Sequence, residues 1–158
     1  MTKETIRLMT SSPIGLARQD LHVLLVEDDP GDVMLVRESF EHHKIVNPLD
    51  VVSDGVEALA FLRQEAPFAD AARPALIMLD LNLPKMDGRE VLTEIKADPS
   101  LRSIPVVVLT TSVADEDIAR SYDTHANAYV TKPVDFDRFM RVVQQIDEFF
   151  VSVVQLPR

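Results

Sequence analysis

Acidic residues follow two apolar runs of this chain, and a lysine follows a third. Glu27, Asp28 and Asp29 come directly after VLLV, Asp80 comes after LIML, and Lys132 comes after AYVT. Acids brought together need a cation, because two charges ~4 Å apart repel by about 4 kcal/mol at an effective dielectric of about 20. Hard oxygen ligands with room for water and phosphate suit Mg²⁺. A carboxylate held beside such an ion and a lysine can form an acyl phosphate.

The elements that must position these residues are readable from five short apolar runs. The runs lie at 22–26, 49–52, 75–79, 105–109 and 128–131. Stretches with helical spacing of apolar residues follow them, beginning at Val33, Val56, Val91, Ile118 and Phe136. Five β-α alternations predict an α/β, doubly wound fold, with a parallel sheet and helices on both faces. Ligands bind such sheets at the carboxyl ends of the strands, so the acids, Lys132 and Thr110 are expected at one edge.

Local signals agree with these boundaries. Asp29 followed by Pro30 predicts a helix N-cap, and Asp32 is placed to reach back to that cap. Asp87 indicates a turn or the next helix cap. The connection 63–75 reads as an irregular loop or an extended helix end.

Composition restricts the class of protein. The chain has 158 residues, a net charge of −10 and no cysteine. One compact domain at 21–150, with a flexible leader at 1–20 and an apolar tail at 151–158, is the expected organisation. The acidic charge argues against nucleic-acid binding, and no signal peptide or membrane span is evident. A cytoplasmic protein without membrane association is expected.

Each candidate residue also has an ordinary structural explanation. Asp29 can be a cap only, Thr110 a β-branched strand residue and Lys132 a surface charge. Glu27 and Asp28 can be solvated turn acids. These separate explanations do not account for why acids, a hydroxyl group and a lysine should all be placed at the same edge of the sheet.

The span from about His22 to about Phe150 resembles a two-component response-regulator receiver domain. The matching stretches are the pair Glu27–Asp28 after VLLV, Asp80 in LIMLDLNLP, Thr110 in IPVVVLTT and Lys132–Pro133 in AYVTKP. Tyr129 occupies the position of the family's switch aromatic. The resemblance implies a flavodoxin-like (βα)5 fold with strand order 2-1-3-4-5.

The resemblance also implies a function. Asp80 would accept a phosphoryl group from a sensor histidine kinase, with Lys132 and Thr110 assisting and Thr110 and Tyr129 acting as the switch. The cofactor would be Mg²⁺, and its implied ligands are Asp28, Asp80, the backbone carbonyl of Asn82 and, through water, Glu27. The Lys132–Pro133 peptide bond would be cis.

Within the family, the chain is similar to the small single-domain regulators of bacterial and cyanobacterial phytochromes. The cues are the loop EAPFADAARP, the stretch SYDTHANAYVTKP and the ending IDEFFVSVVQLP. His125 departs from the glycine that receivers often carry there. The receiver and tail use about 150 residues, so output is expected through protein contacts and not through a further domain.

Three other functions are less consistent with these residues. A haloacid-dehalogenase-like Mg²⁺ phosphatase needs a second aspartate two residues after Asp80, where this chain has Asn82. A degenerate receiver, serving only as an interaction module, would have lost one of the site residues. A flavin carrier would need a phosphate loop where EDDPGD stands. We expect no enzyme activity beyond the protein's own phosphotransfer and autodephosphorylation.

The last helical window carries more apolar residues than one buried face needs. A stripe at Phe136, Phe139, Met140, Val143, Ile146 and Phe150 can pack on the sheet. Further apolar residues fall outside that stripe or precede it: Tyr122, Val142, Phe149, Val153 and Val154. They extend the core, or they form a homodimer surface through helix four, strand five, helix five and the tail; the dimer is our prediction.

Overall fold

The computed structural model of the chain describes residues 21–43, 45–111, 114, 126, 128–134, 136–139 and 141. The helix expected around Ile118, the leader, the tail and most of the last helical window lie outside these residues. The elements that it bounds are β1 (Val23–Val26), α1 (Pro30–His42), β2 (Leu49–Val52), α2 (Gly55–Leu62), β3 (Leu76–Asp80), α3 (Gly88–Ala97), β4 (Val106–Thr110) and β5 (Ala128–Thr131).

The five strands form one parallel sheet in the order β2-β1-β3-β4-β5. The predicted fold class and strand order are therefore confirmed. Val26 pairs with Leu79, so the next residues, Glu27 and Asp80, lie level at one edge. Thr110 pairs with Thr131 at the same edge, directly before Lys132.

Alternate strand residues face opposite sides of the sheet, and both sides are covered. On one side, buried residues of α2 and α3 pack on the sheet through Leu59, Leu62, Val91, Leu92 and Ile95. On the other side lie α1 and the helical residues 136–139, through Val36, Phe40, Phe136 and Phe139. Residues of β1 and β3 are completely buried, as a strand covered on both faces requires. Within the described ranges, no helix is long and apolar enough to cross a membrane.

Three details differ from or complete the sequence expectations. β3 and β4 each end one residue later than the apolar runs 75–79 and 105–109, at Asp80 and Thr110. The backbone pairing continues that far, since Asp80 pairs with Leu109. Val56 is 52% exposed, since the buried face of α2 runs through Gly55, Ala58, Leu59 and Leu62, one position away. The connection 63–75 is an irregular loop, and α2 ends before it at Leu62.

Candidate functional site

The first strand leads into a buried carboxylate. Glu27, the residue after β1, is 2% exposed, whereas Asp28 is exposed. Asp29 is the N-cap of α1, and its side chain accepts hydrogen bonds from the N–H groups of Gly31 (2.8 Å) and Asp32 (3.3 Å). The prediction that Asp32 reaches back to this cap is wrong. The Asp29 N–H donates to Glu27 Oε2 at 3.2 Å, because that carboxylate is already held beside it.

Asp80 is the last residue of β3 and is 2% exposed. Its Oδ1 accepts a hydrogen bond from the Asn82 N–H at 3.0 Å, which turns the chain away from the strand. The following loop folds back on itself, since the Gly88 N–H donates to the Leu81 carbonyl at 3.0 Å. Asp87 caps α3 in a capping box with Glu90, which settles the sequence alternatives in favour of a cap.

Gly88 allows the β3–α3 loop to pass close to the site. A Cβ at Gly88 would lie 2.3 Å from the Asp80 carbonyl oxygen and 2.6 Å from Leu81 Cα. We expect Gly88→Ala to lower the free energy of unfolding by about 1–3 kcal/mol, because backbone has to move. Urea unfolding measures this. Gly31→Ala is the matched control: its Cβ meets only a side-chain oxygen, at 3.2 Å, and a change under about 1 kcal/mol is expected. Equal losses in the two variants would contradict the close approach.

Lys132 joins the strand tips. Its Nζ donates to Glu27 Oε1 at 2.9 Å, Asp32 Oδ2 at 2.9 Å and Asp80 Oδ2 at 3.2 Å. Its backbone N–H donates to the Thr110 carbonyl at 2.7 Å, which continues the β4–β5 pairing past the end of β5. The Lys132–Pro133 peptide bond is cis. The lysine is thus held from both its backbone and its side chain.

Burial and the acidic side chains at this edge of the sheet shift the pKa values of both Glu27 and Lys132. Burial of Glu27, assisted by the neighbouring charge of Asp80, raises the pKa of its carboxyl group to about 7, although the bond from Lys132 opposes the rise. Burial alone would lower the pKa of Lys132, but the bonds to Asp32 and Glu27 and the charge of Asp80 outweigh it and raise that pKa. Lys132 therefore stays charged near neutral pH, and the site still carries excess negative charge.

Three of the acids form an arrangement that fits a hard divalent cation. One carboxylate oxygen each from Glu27, Asp28 and Asp80 lies within 4.8 Å of the others. Such oxygen donors, beside an exposed Asp28 that leaves space for water, match the preferences of Mg²⁺ and Mn²⁺. Asn82, whose N–H closes the turn on Asp80, is itself exposed.

The two residues predicted to act as a switch lie on neighbouring strands. Thr110 ends β4 and is 1% exposed, next to the edge that carries Asp80. Tyr129 in β5 is 6% exposed and packs within the core on the α2–α3 side of the sheet. The predicted dimer residues fall outside the described residues: Tyr122, Val142, Phe149, Val153 and Val154.

Sequence reasoning missed Asp32 as a member of this site. Its carboxylate belongs to the first turn of α1, which starts at the tip of β1 and so lies over the same sheet edge. Its place in the first turn of the helix that follows β1 is the sequence signal that could have identified it as a site residue. Asp54 was missed as the N-cap of α2, and it also pairs with Lys85 at 3.4 Å, linking two loops of this edge.

Comparison with known proteins agrees with this arrangement. The profile of the response regulator receiver domain matches residues 23–144. Response regulator Rcp1 of Synechocystis sp. (strain ATCC 27184 / PCC 6803 / Kazusa) is 47% identical over 135 residues, which cover 85% of this chain and 92% of Rcp1.

Two solved structures are similar over most of the chain. The phosphorylated cyanobacterial phytochrome response regulator RcpA is 48% identical with a TM-score of 0.68, over 87% of this chain and 99% of that chain. The Mn²⁺-bound form of Rcp1 is 46% identical with a TM-score of 0.68, over the same shares. With its strand-tip acids, lysine and threonine in family order, this chain belongs to the response-regulator receiver family and is related to the phytochrome response regulators.

Proposed function

We propose that this protein accepts a phosphoryl group on Asp80 and signals through protein contacts. The observation that carries the proposal is the convergence on the Asp80 carboxylate of Lys132 Nζ, at 3.2 Å, and of the acids Glu27 and Asp28. A nucleophilic carboxylate, a fixed ammonium group and a set of cation ligands are what acyl phosphate formation needs. Asp80 is held by β3 and by the Asn82 N–H, so its orientation is set before any donor arrives.

The reaction takes one phosphoryl group from a phosphohistidine. An oxygen of the Asp80 carboxylate forms a bond to phosphorus while the P–N bond breaks, and the released imidazole takes a proton from solvent. The Lys132 ammonium stabilises the negative charge on the phosphoryl oxygens, and Thr110 closes the site from β4. Hydrolysis by water later returns free Asp80 and inorganic phosphate, which is the autodephosphorylation expected of the protein.

Mg²⁺ is the cofactor that the donor set favours. Asp28, Asp80 and the backbone carbonyl of Asn82 would hold it, with Glu27 acting through water. When bound, the ion neutralises charge on the acids and on the phosphoryl oxygens. The related regulator Rcp1 has been solved in a Mn²⁺-bound form, which supports divalent-metal binding by this chain as well.

Metal binding has a consequence for stability. We expect Mg²⁺ at roughly ten to a hundred times its Kd to raise the free energy of unfolding by about 1–3 kcal/mol, because it binds the folded state. Thermal and urea unfolding with Mg²⁺ or with chelator measure the change. Asp28→Asn removes one ligand and should abolish most of the gain. A gain that is the same in Asp28→Asn would contradict the assignment of Asp28.

The donor is proposed to be a sensor histidine kinase of the phytochrome type. RcpA and the bacteriophytochrome response regulator RtBRR, which is 43% identical with a TM-score of 0.74, support that choice. Incubation with autophosphorylated candidate kinases tests it, and the expected result is Mg²⁺-dependent movement of label from kinase to this protein. Acceptance of label from no kinase and from no small phosphodonor would overturn the function as a whole.

The switch is proposed to couple Thr110 to Tyr129. Phosphate on Asp80 would draw the Thr110 hydroxyl inward and allow Tyr129, now buried, to turn. Thr110→Ala should still accept phosphate but lose most of the phosphorylation-dependent partner binding or self-association. Binding equal to wild type in that variant would remove Thr110 from the coupling.

Self-association is proposed as a second protein contact of this chain, besides the contact with its kinase. A symmetric homodimer would form through the apolar residues outside the stripe on 136–150, the tail after it, the helical window that begins at Ile118, and β5. Light scattering on the full chain and on a chain ending at Glu148 separates the possibilities. The full chain should be dimeric, at least when phosphorylated, and the shortened chain monomeric. A monomer in both phosphorylation states would rule the dimer out.

A further inference from the structure

Asp32 contacts the site lysine without belonging to the metal cluster. Its Oδ2 lies 2.9 Å from Lys132 Nζ, as close as Glu27 Oε1. The three acids that fit a cation are Glu27, Asp28 and Asp80, and Asp32 is not among them. The contact therefore needs an explanation other than metal ligation.

The ammonium group of Lys132 has no donor to spare. An ammonium carries three N–H groups, and within the part of the chain that the structure describes three carboxylates accept from Lys132: Glu27, Asp32 and Asp80. A phosphoryl oxygen on Asp80 can be bonded by Lys132 only if one of those contacts is given up. Phosphorylation is thus an exchange of partners for this lysine.

The bond to Asp80 passes to the phosphoryl group when Asp80 is modified, and of the two remaining acceptors Asp32 is better suited than Glu27 to give up the lysine. Its side chain is 30% exposed, whereas those of Glu27 and Asp80 are 1% and 3% exposed. A carboxylate that loses a buried cation must be solvated or it becomes strongly unfavourable. Water can reach Asp32 when the lysine leaves, and it cannot reach Glu27 to the same extent.

We propose that Asp32 is a positioning residue that holds Lys132 in the unphosphorylated protein and competes with the phosphoryl oxygens for its ammonium group. The inference rests on the proposed function of Asp80. Asp32 acts through Lys132 and touches neither the phosphoryl group nor the cation. It favours the unphosphorylated state, because it accepts a hydrogen bond from the same ammonium group that the phosphoryl oxygens need.

The test uses beryllofluoride, which mimics a phosphoryl group on a carboxylate, at saturating Mg²⁺ and with the full chain. Asp32→Asn should bind beryllofluoride about 3- to 10-fold more tightly than wild type, since one charge-assisted bond no longer competes. The Kd for Mg²⁺ alone should stay the same, which separates this role from a metal-binding role. Labelling of Asp80 by acetyl phosphate should be faster by a similar factor.

Two further variants keep the proposal falsifiable. Asp29→Asn makes the same change of charge in the same turn, retains an N-cap and does not contact Lys132, so its affinity should change less than about twofold. In a Lys132→Gln background, Asp32→Asn should have no effect. The proposal is overturned if Asp32→Asn binds beryllofluoride as wild type does, if Asp29→Asn gives an equal gain, or if the gain persists without Lys132. Absence of beryllofluoride binding and of acetyl phosphate labelling in wild type itself would instead overturn the proposed function.

Discussion

Asp80→Asn is expected to abolish acyl phosphate formation on this protein. Asparagine keeps the shape of the side chain and an oxygen that can accept from the Asn82 N–H, but it lacks the carboxylate nucleophile. The variant should remain folded, because it removes one of several repelling charges from the edge of the sheet. Labelling by a small phosphodonor with Mg²⁺, followed by mapping of the base-labile product, measures the loss. We expect the label to fall to background.

The control for this variant is Asp87→Asn. Asp87 lies on the same loop and caps α3, a role that asparagine also fills, so full labelling is expected there. Full labelling of Asp80→Asn would show that another carboxylate is the acceptor. The exposed Asp28 would then be the first residue to map.

The fold was predictable because its signals are local. Continuous apolar runs identified the strands that are buried on both faces, and Asp29 with Pro30 marked the start of α1. The positions of Asp80 and Lys132 then followed from one topological fact, that parallel strands place their carboxyl ends along one edge. The strand order itself came from the resemblance to receiver domains, since alternation alone fits several orders.

The missed features depend on tertiary geometry. Asp32 is acidic and lies at the capping-box position, but Glu27 accepts from the Asp29 N–H and the ammonium group of Lys132 holds the Asp32 carboxylate elsewhere. Val56 fits a helical apolar pattern, yet the direction from which the sheet covers α2 leaves it exposed. Neither outcome is encoded in residue spacing along one element, because both are set by residues distant in sequence.

Lys132→Met is expected to destabilise the metal-free protein by about 3–5 kcal/mol at pH 8. The change leaves Glu27 and Asp80, with side chains 1% and 3% exposed, without their cation. The loss should be smaller at pH 6, where Glu27 can take up a proton. The pKa of Glu27 is already raised from 4.5 to about 7, and removing the bond from Lys132, which lowers it, raises it further.

The sign of the pH dependence follows from proton binding. Between pH 4.5 and about 7 the folded protein holds a proton on Glu27 that the unfolded chain has lost, so stability falls as pH rises. In Lys132→Met this fall should be steeper overall and continue to higher pH. In the wild-type protein, titration of Lys132 itself does not change the free energy of unfolding between pH 4.5 and about 7. Its pKa is raised above 10.5, so its stabilising contribution is lost only in strongly alkaline solution.

Urea unfolding in chelator at pH 6, 7 and 8 measures both the loss and its slope. Lys85→Met is the matched control, since it removes the same charge from a side chain that is 68% exposed and paired with Asp54 on the neighbouring loop. A change under about 1 kcal/mol with no added pH dependence is expected there, because the buried Asp54 keeps the hydrogen bond from the Glu57 N–H when the exposed lysine is removed. If Lys132→Met loses the same free energy at all three pH values, the loss comes from packing of the methionine. The buried acids would then not depend on Lys132 for their charge balance.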